Sequence, residues 1–515
     1  MKIITQVALL TTILIVSCGT ASARTNLLIG GLTIGYEYTD RSGESQETGE
    51  EQDAEVAVTE TTDTSGDSDQ NVREIYIEPL LVISSESAKD RLLLRYKAKL
   101  SYDHELQESD IDHSLLLSAK RKVNNRWKVW IEDALDTADR QDSGVEEGGD
   151  STDSSDAEVG QETTDSSETD QYGRRRYLKN AATFGTRYTY LEDSDVGFNY
   201  MYSILRNEEV DTTADPYRDY DIHEGALSAS YRYNPEWKVT GLAKYVTGDY
   251  FEPGSTSDTT ASETEDQAEQ INIDEDVEIV SSEDLQSEQI TALATVDTDI
   301  VPHNPLFFTY QYQSIGYDSS LMTDVVIQSG TFGWKHDFTE DAHMSLAGGP
   351  TYIEPDDQEG YWGYNGQADL DYQFRDFDVK LGLETGYEKD MYSSDDEEVL
   401  SNYCIVKGDV TCEPLQDLFV TVSGSFRQDD KESLSIADTS LTAIDGEIAN
   451  ESGETSKYTE RLYKLGARVN YRFQRYYSAT LGYQYSDFDT DVEGGDYTES
   501  LVYLMLGAEK ELLQW

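Results

Sequence analysis

Three basic residues recur at every second position of one apolar run in the sequence. Arg95, Lys97 and Lys99 alternate with Tyr96 and Ala98, after a run of three leucines. In a β-strand, successive side chains point to opposite faces, so this spacing predicts a strand with one basic face and one apolar face. A cationic face of this kind attracts anions.

The same alternation of charged and apolar residues recurs in later runs, and in two of these runs the charged face is acidic. Because a lipid-facing Lys or Arg at the bilayer centre costs roughly 2–4 kcal/mol, the charged faces are expected to line water. The expected basic arc consists of Arg95, Lys97, Lys99, Lys120, Lys122, Arg175, Lys179, Arg187, Arg232, Lys238 and Lys244. The expected acidic arc consists of Asp369, Asp371, Asp378, Glu384 and Glu388. Two opposed arcs would orient charged solutes, and the alternative is that the charges only neutralise one another and hydrate the interior.

About twenty alternating runs of this kind cover the chain. They predict an all-β fold, a transmembrane up-and-down antiparallel β-barrel of about 20 strands, within a range of 18 to 22. Long inserts follow odd-numbered strands, near residues 40–73, 140–173, 252–286 and 430–457, whereas tight links mostly follow even-numbered strands. Short turns at one end and long extracellular loops at the other are typical of bacterial barrels.

The composition is strongly acidic and poor in apolar residues. The 515 residues carry a formal net charge of -64, and only 37% of them are hydrophobic. A barrel with a wet interior needs less apolar bulk than a packed core does. No nucleic-acid partner is expected, because phosphate contacts require clustered Lys and Arg. The acidic loops are expected to be solvated, with divalent cations as an alternative partner, and no cofactor is expected.

The amino terminus has the features of a secretory leader. Lys2 precedes an apolar run that is followed by small residues ending at Ala23. This pattern predicts a signal peptide over residues 1–23 and a barrel over 24–515, exported by the Sec route to the outer membrane of a Gram-negative cell. An alternative is lipidation of Cys18, because residues 15–18 loosely resemble a lipoprotein box.

Two further cysteines flank a turn-like sequence. Cys404 and Cys412 surround Lys407-Gly408-Asp409 and could close a small disulfide loop in an oxidising compartment, or remain two unpaired thiols. Their spacing gives no metal-ligand pattern.

The histidines do not form a recognisable catalytic motif. The six of them fall on separate predicted strands and turns, without a G-x-S-x-G or H-E-x-x-H context. The chain is therefore not expected to be an enzyme, although barrel closure could bring a Ser-His pair together from different strands.

Three strand patterns carry a family resemblance. They are GLTIGYEYTD at residues 31–40, RLLLRY at 91–96 and DIHEGALSASYRY at 221–233. These segments resemble the β-barrel porin type 2 family, which includes outer-membrane proteins associated with exosortase and exopolysaccharide loci. The resemblance implies an outer-membrane pore. The terminal Trp515 likewise resembles the signal by which the barrel-assembly machinery recognises its clients.

These features together predict a porin-like channel for passive diffusion of small hydrophilic solutes, surrounded by outer-membrane lipid. Two alternatives remain open. The basic arc could guide an anionic exopolysaccharide through an export conduit, or the acidic loops could bind cations and partner proteins on a surface scaffold with a plugged lumen.

Overall fold

The fold is a single all-β cylinder of twenty strands. The computed structural model describes residues 24–43, 70–104, 107–138, 176–207, 219–251, 285–300, 304–318, 323–339, 341–356, 359–390, 399–433, 457–491 and 496–515. The strands are β1 (Thr25–Gly43), β2 (Gln70–Glu86), β3 (Asp90–Asp103), β4 (Glu108–Asn124), β5 (Trp127–Ala138), β6 (Tyr177–Leu191), β7 (Ser194–Asn207), β8 (Asp219–Asn234), β9 (Trp237–Phe251), β10 (Leu285–Thr298), β11 (Leu306–Tyr317), β12 (Val325–Thr339), β13 (Ala342–Pro355), β14 (Tyr361–Phe374), β15 (Phe377–Asp390), β16 (Val399–Leu415), β17 (Leu418–Ser433), β18 (Lys457–Phe473), β19 (Tyr477–Thr490) and β20 (Tyr497–Gln514). Within these ranges no helix is long and apolar enough to cross a membrane.

Every strand pairs antiparallel with its neighbours in sequence, and the first strand pairs with the last. The closing ladder between β1 and β20 runs from Leu27↔Gln514 to Gly43↔Tyr497. Below it, the backbones of Asn26 and Trp515 donate to each other, with N···O distances of 3.0 and 3.1 Å. The predicted up-and-down barrel of twenty strands is therefore confirmed.

The registers fix the size of the cylinder. A path through directly opposite residues, followed from strand to strand around the ring, returns to β1 roughly 24 residues from its starting residue. This offset corresponds to a strand tilt of roughly 40° and a backbone diameter of roughly 35–40 Å. Barrels of this strand number are wide enough to enclose an aqueous space.

Connection lengths alternate as predicted. Two-residue turns at 192–193, 235–236, 375–376 and 416–417 follow even-numbered strands. Asp193, Arg375 and Asp417 in these turns have positive φ angles of 57°, 46° and 64°, the left-handed conformation that lets so tight a turn reverse the chain. The long connections follow odd-numbered strands. We call the two ends of the cylinder the short-turn end, where β1 begins and β20 ends, and the long-loop end.

Several sequence-based predictions fall outside the described residues. The signal peptide, the alternative lipidation site Cys18 and almost all of the four acidic inserts belong to this group. They stay predictions.

Strand alternation separates an apolar outer face from a polar inner face. On β1, the outer residues Leu32, Ile34 and Tyr36 are all exposed. The intervening Thr33 and Glu37 point inward, on the side where Glu78 of β2 is directly opposite Thr33. An apolar surface around the whole outside of the cylinder is what a lipid environment requires.

Large inward aromatic rings are accommodated over glycines of the adjacent strand. Trp130 of β5 is directly opposite Gly185 of β6, and a Cβ added at Gly185 would lie 2.1 Å from ring carbons of Trp130. A ring can occupy this position only if its neighbour has no side chain.

We expect Gly185→Ala to lower the free energy of unfolding by about 1–3 kcal/mol, because the new methyl group must displace the Trp130 ring. Denaturant titration of the protein in detergent micelles, followed by tryptophan fluorescence, measures this loss. Gly225→Ala is the matched control, since an added Cβ there meets nothing within 4 Å. Equal stability of the two variants would contradict this packing.

Candidate functional site

The candidate site is the inner face of the cylinder. The strands place the basic residues predicted to line it on the inner phase of β3, β4, β6, β8 and β9. They are Arg95, Lys97, Lys99, Lys120, Lys122, Lys179, Arg187, Arg232, Lys238 and Lys244. Arg175 lies outside the described residues.

Toward the long-loop end, members of the basic arc are paired with glutamates of an adjacent strand. The ammonium of Lys97 lies 3.5 Å from Glu78, and that of Lys99 lies 3.2 Å from Glu74. Lys244 contacts Glu224 at 2.8 Å. These three lysines therefore have acidic partners on the neighbouring strand. Sequence reasoning missed these acidic partners, although Glu74 and Glu78 have the alternate spacing of an inward strand face.

At the short-turn end the arrangement is different, because positive charges lie directly opposite one another. Lys122 of β4 is the register partner of Lys128 of β5, which in turn is the partner of Arg187 of β6. We call these three residues the basic row. Arg187 also lies 3.8 Å from Asp195. Sequence reasoning did not select Lys128, although its alternation with Trp127 and Val129 carries the same signal.

A second like-charged pair lies on the same wall. Arg232 of β8 is directly opposite Lys238 of β9. Arg232 is also 3.3 Å from Asp193 in a short turn. Like charges directly opposite in a ladder destabilise a sheet. Two such placements lie on the same wall at the short-turn end.

The predicted acidic residues lie on the inner phase of β14 and β15. Asp369 and Asp371 lie on β14; Asp378, Glu384 and Glu388 lie on β15. Lys380 and Lys407 interrupt this wall, since Lys380 is opposite both Asp371 and Asp409. The wall is thus less acidic than the sequence suggested.

Near the long-loop end, residues of the acidic wall form a local network of hydrogen bonds and ion pairs. Arg427 of β17 donates to Glu388 and Asp429, and Tyr403 donates to Glu384 at 2.9 Å. Lys431 lies 2.9 Å from Glu460. These contacts hold the inner surfaces of β15 to β18 together.

The two walls face each other across the cylinder. In a closed ring of twenty strands, strands ten places apart are opposite, so β5 and β6 face β15 and β16. The basic row on β4 to β6 thus faces the partly acidic wall on β14 and β15.

Part of the inner wall is apolar, which the sequence reasoning did not predict. Near the long-loop end, Ile315, Val325 and Ile353 are 0–1% exposed although they have the inner phase. Tyr220 and Tyr250 pack together on β8 and β9. A signal existed in Val325-Val326-Ile327, where apolar residues occupy both faces of one strand.

The predicted disulfide is wrong. Both Cys404 and Cys412 are free and lie on one strand, β16, where they share the outer face. Eight residues along a strand correspond to roughly 26 Å, whereas disulfide-bonded Cα atoms are about 5.5 Å apart. Lys407-Gly408-Asp409, which resembled a turn, is the middle of this strand.

The described histidines mostly bond to tyrosine, asparagine or aspartate. His113 and His223 lie on the outer face, 3.0 Å from the Tyr96 hydroxyl and 2.8 Å from the Tyr200 hydroxyl. His336 contacts Asn304, and His343 lies 2.7 Å from Asp337. Among the described residues, no group of three or more His, Cys, Asp or Glu is arranged to hold a metal ion.

The comparison with known proteins found similarity to solved structures only. No protein-family model matches the chain, and no curated protein matches it. Membership of the β-barrel porin type 2 family therefore stays a prediction. Among solved structures, the siderophore receptor PirA from Pseudomonas aeruginosa is similar with a TM-score of 0.45 and 9% identity, over 94% of this chain and 80% of that one.

Two other solved structures are similar at comparably low sequence identity. A mutant of the ferric enterobactin receptor PfeA from Pseudomonas aeruginosa has a TM-score of 0.47 and 8% identity, over 94% of this chain and 80% of that one. Pseudomonas aeruginosa OpdQ has a TM-score of 0.36 and 9% identity, over 94% and 98%.

We expect Lys244→Met to lower the free energy of unfolding by about 1–2 kcal/mol, because it leaves the largely buried Glu224 carboxylate without its cation. Lys122→Met removes an equal charge but relieves repulsion with Lys128, so it should leave stability unchanged or raise it. Urea titration in detergent micelles compares the two. A charge swap, Glu224→Lys with Lys244→Glu, should restore most of the loss; equal losses in both single variants would contradict the pairing.

Proposed function

We propose that this chain is an outer-membrane, porin-like channel for passive diffusion of small hydrophilic solutes, with a preference for anions. The observation that carries the proposal is the basic row, where Lys122, Lys128 and Arg187 are consecutive register partners on the inner face. Like charges directly opposite each other, as at Lys122 and Lys128, destabilise a sheet, so stability alone does not explain this placement.

The barrel geometry supports membrane insertion and a wet interior. Exposed large apolar side chains, such as Leu32 on β1, Phe184 on β6 and Leu465 on β18, occupy the outer face around the cylinder. Barrels of sixteen to eighteen strands already leave an aqueous channel, so a twenty-stranded one has room for hydrated solutes.

Aromatic residues support the same placement. Tyr471, Phe473 and Tyr477 stack on the outer face near the short-turn end, with centroids 5.8 and 5.6 Å apart. Rings at this level anchor a barrel at the membrane interface. We propose Trp515, which is 62% exposed beside the closing ladder, as the recognition signal for the barrel-assembly machinery.

A second candidate function uses the same row. An anionic exopolysaccharide could be guided past Lys122, Lys128 and Arg187 in an export conduit, and the resemblance to the β-barrel porin type 2 family supports this alternative. The two candidates differ in substrate length but not in the sign of the charge they select. Loss of a secreted polymer in a deletion strain would favour export.

The channel is tested by conductance in planar bilayers. We expect stable open steps with anion preference, and Lys122→Gln combined with Lys128→Gln should lower the anion-to-cation permeability ratio by about two- to fivefold, because the field at the short-turn mouth weakens. The reversal potential in a salt gradient measures this ratio.

The matched control removes two charges from short turns at the same end. Lys89→Gln combined with Arg126→Gln should leave the ratio nearly unchanged, because neither residue is on the inner face of a strand. Silent bilayers, or equal ratios in the two double variants, would contradict the proposal.

A further inference from the structure

The cylinder is split along half of one strand pair, the half nearest the long-loop end. We call the parts of the strands nearest that end their upper parts. β14 and β15 are paired only from Gly366↔Thr385 to Phe374↔Phe377. Toward the long-loop end, residues 361–365 of β14 pair only with β13, and residues 386–390 of β15 pair only with β16. We call these two unpaired edges the split seam.

At the split seam the two edges overlap rather than meet side by side. Gly363 has the inner phase of β14, and a Cβ added there would lie 2.4 Å from the Tyr387 side chain. Tyr387 has the outer phase of β15, on the same side as exposed Leu381 and Leu383. The outer side of upper β15 therefore lies against the inner side of upper β14.

The neighbouring strand continues this overlap. Leu400 of β16 shares its phase with Val406, which is exposed on the outer face. Leu400 nevertheless packs into a cluster with Val325, Ile327 and Ile353 of the inner wall. The upper ends of β15 and β16 thus lie inside the upper ends of β12 to β14, which explains why part of the inner wall is apolar.

A cavity of about 380 Å³ lies at this overlap. Its lining consists of Leu400 and three tyrosines, together with six polar or charged residues: Tyr361, Tyr387, Tyr458, Asn402, Asp430, Lys431, Glu432, Lys457 and Thr459. Lys457 lies 2.8 Å from Glu432. A small patch of aromatic and aliphatic side chains beside charged ones matches a molecule that has a hydrocarbon part and a polar head.

The outer side of the split seam is lined by uncovered aromatic rings. Trp362 is 73% and Tyr364 is 69% exposed, whereas Tyr372, lower on the same face of β14 and beside paired β15, is 39% exposed. The difference arises because β15 does not flank the upper half of β14. In a membrane these rings would lie at the interface nearest the long-loop end.

We propose that the split seam is a lateral binding site for a single-chain amphiphile that enters from the outer leaflet. Its acyl chain would lie against Tyr361, Tyr387 and Leu400, and its head would reach the charged side chains beside them. The inference rests on insertion of the barrel in a bilayer but not on conduction. An extended peptide could instead add a strand to the free β14 edge, but that mode would leave the cavity unused.

The test is binding of cis-parinaric acid, a fluorescent fatty acid, to the full barrel in lipid nanodiscs. We expect saturable binding that Asn402→Trp weakens by about tenfold, because Asn402 lines the cavity and the indole would fill it. Val406→Trp is the matched control: it adds the same ring to the same face of β16, outside the cavity, and should change affinity less than twofold.

A second variant closes the split seam itself. If the β14–β15 register continued one pair further, Asn365 would be opposite Gly386. Asn365→Cys with Gly386→Cys, in a Cys404→Ser and Cys412→Ser background, would on oxidation impose that pair and close the seam where it begins. Oxidation should reduce parinaric acid binding and reduction should restore it.

Absence of saturable binding, equal affinity of the two tryptophan variants, or equal binding by the oxidised and reduced forms would each overturn the proposal. Bilayer conductance of the same preparations is measured separately. A barrel that conducts without binding refutes only the lateral site, and one that binds without conducting refutes only the channel.

Discussion

The structure depends on the hydrogen-bond ladder that joins the first strand to the last. In the hydrocarbon core of a bilayer, backbone groups have no water to bond to, so strand edges at that depth must be joined. Seventeen register pairs between β1 and β20 accomplish this, and the mutual backbone bonds of Asn26 and Trp515 extend the closure by one more pair. The tilt, diameter and inner face all follow from the registers of a closed ring.

Closure also explains why so much of the fold could be predicted from the sequence. Once every strand must pair with its neighbours, alternation assigns each side chain to lipid or lumen, and a slip of one residue would expose charges to lipid. Arg95, Lys97 and Lys99 fixed the phase of β3 in this way. The parity of connection lengths then fixed the strand count, because in an up-and-down barrel all odd connections share one end.

The features that the sequence did not predict depend on contacts between strands. Glu74 and Glu78 neutralise Lys99 and Lys97 because β2 and β3 have one particular register, which alternation alone does not specify. The error at Cys404 and Cys412 has a local cause. Gly408 suggested a turn, but glycine also occurs within strands where a neighbour approaches closely, and an added Cβ there would lie 2.9 Å from Leu381.

Glycine and proline also account for an interruption in the pairing of β12 with β13. The register of β12 with β13 is interrupted between Ser329↔Thr351 and Phe332↔Gly348, at the sequence Gly348-Gly349-Pro350. Proline has no N–H to donate to a ladder.

Glycine at position 349 removes the side chain that would otherwise separate the flanking strands. A Cβ at Gly349 would lie 1.7 Å from the carbonyl oxygen of Gly330, and Thr331 of β12 reaches across to Asn365 of β14 at 3.1 Å. The sheet therefore turns a sharp corner at β13. Asn365 is also the first β14 residue above the last β14–β15 pair, so the corner and the split seam meet at one residue. Because this corner brings upper β14 closer to β12, it moves upper β14 away from β15. The sequence of β13 therefore explains the split seam.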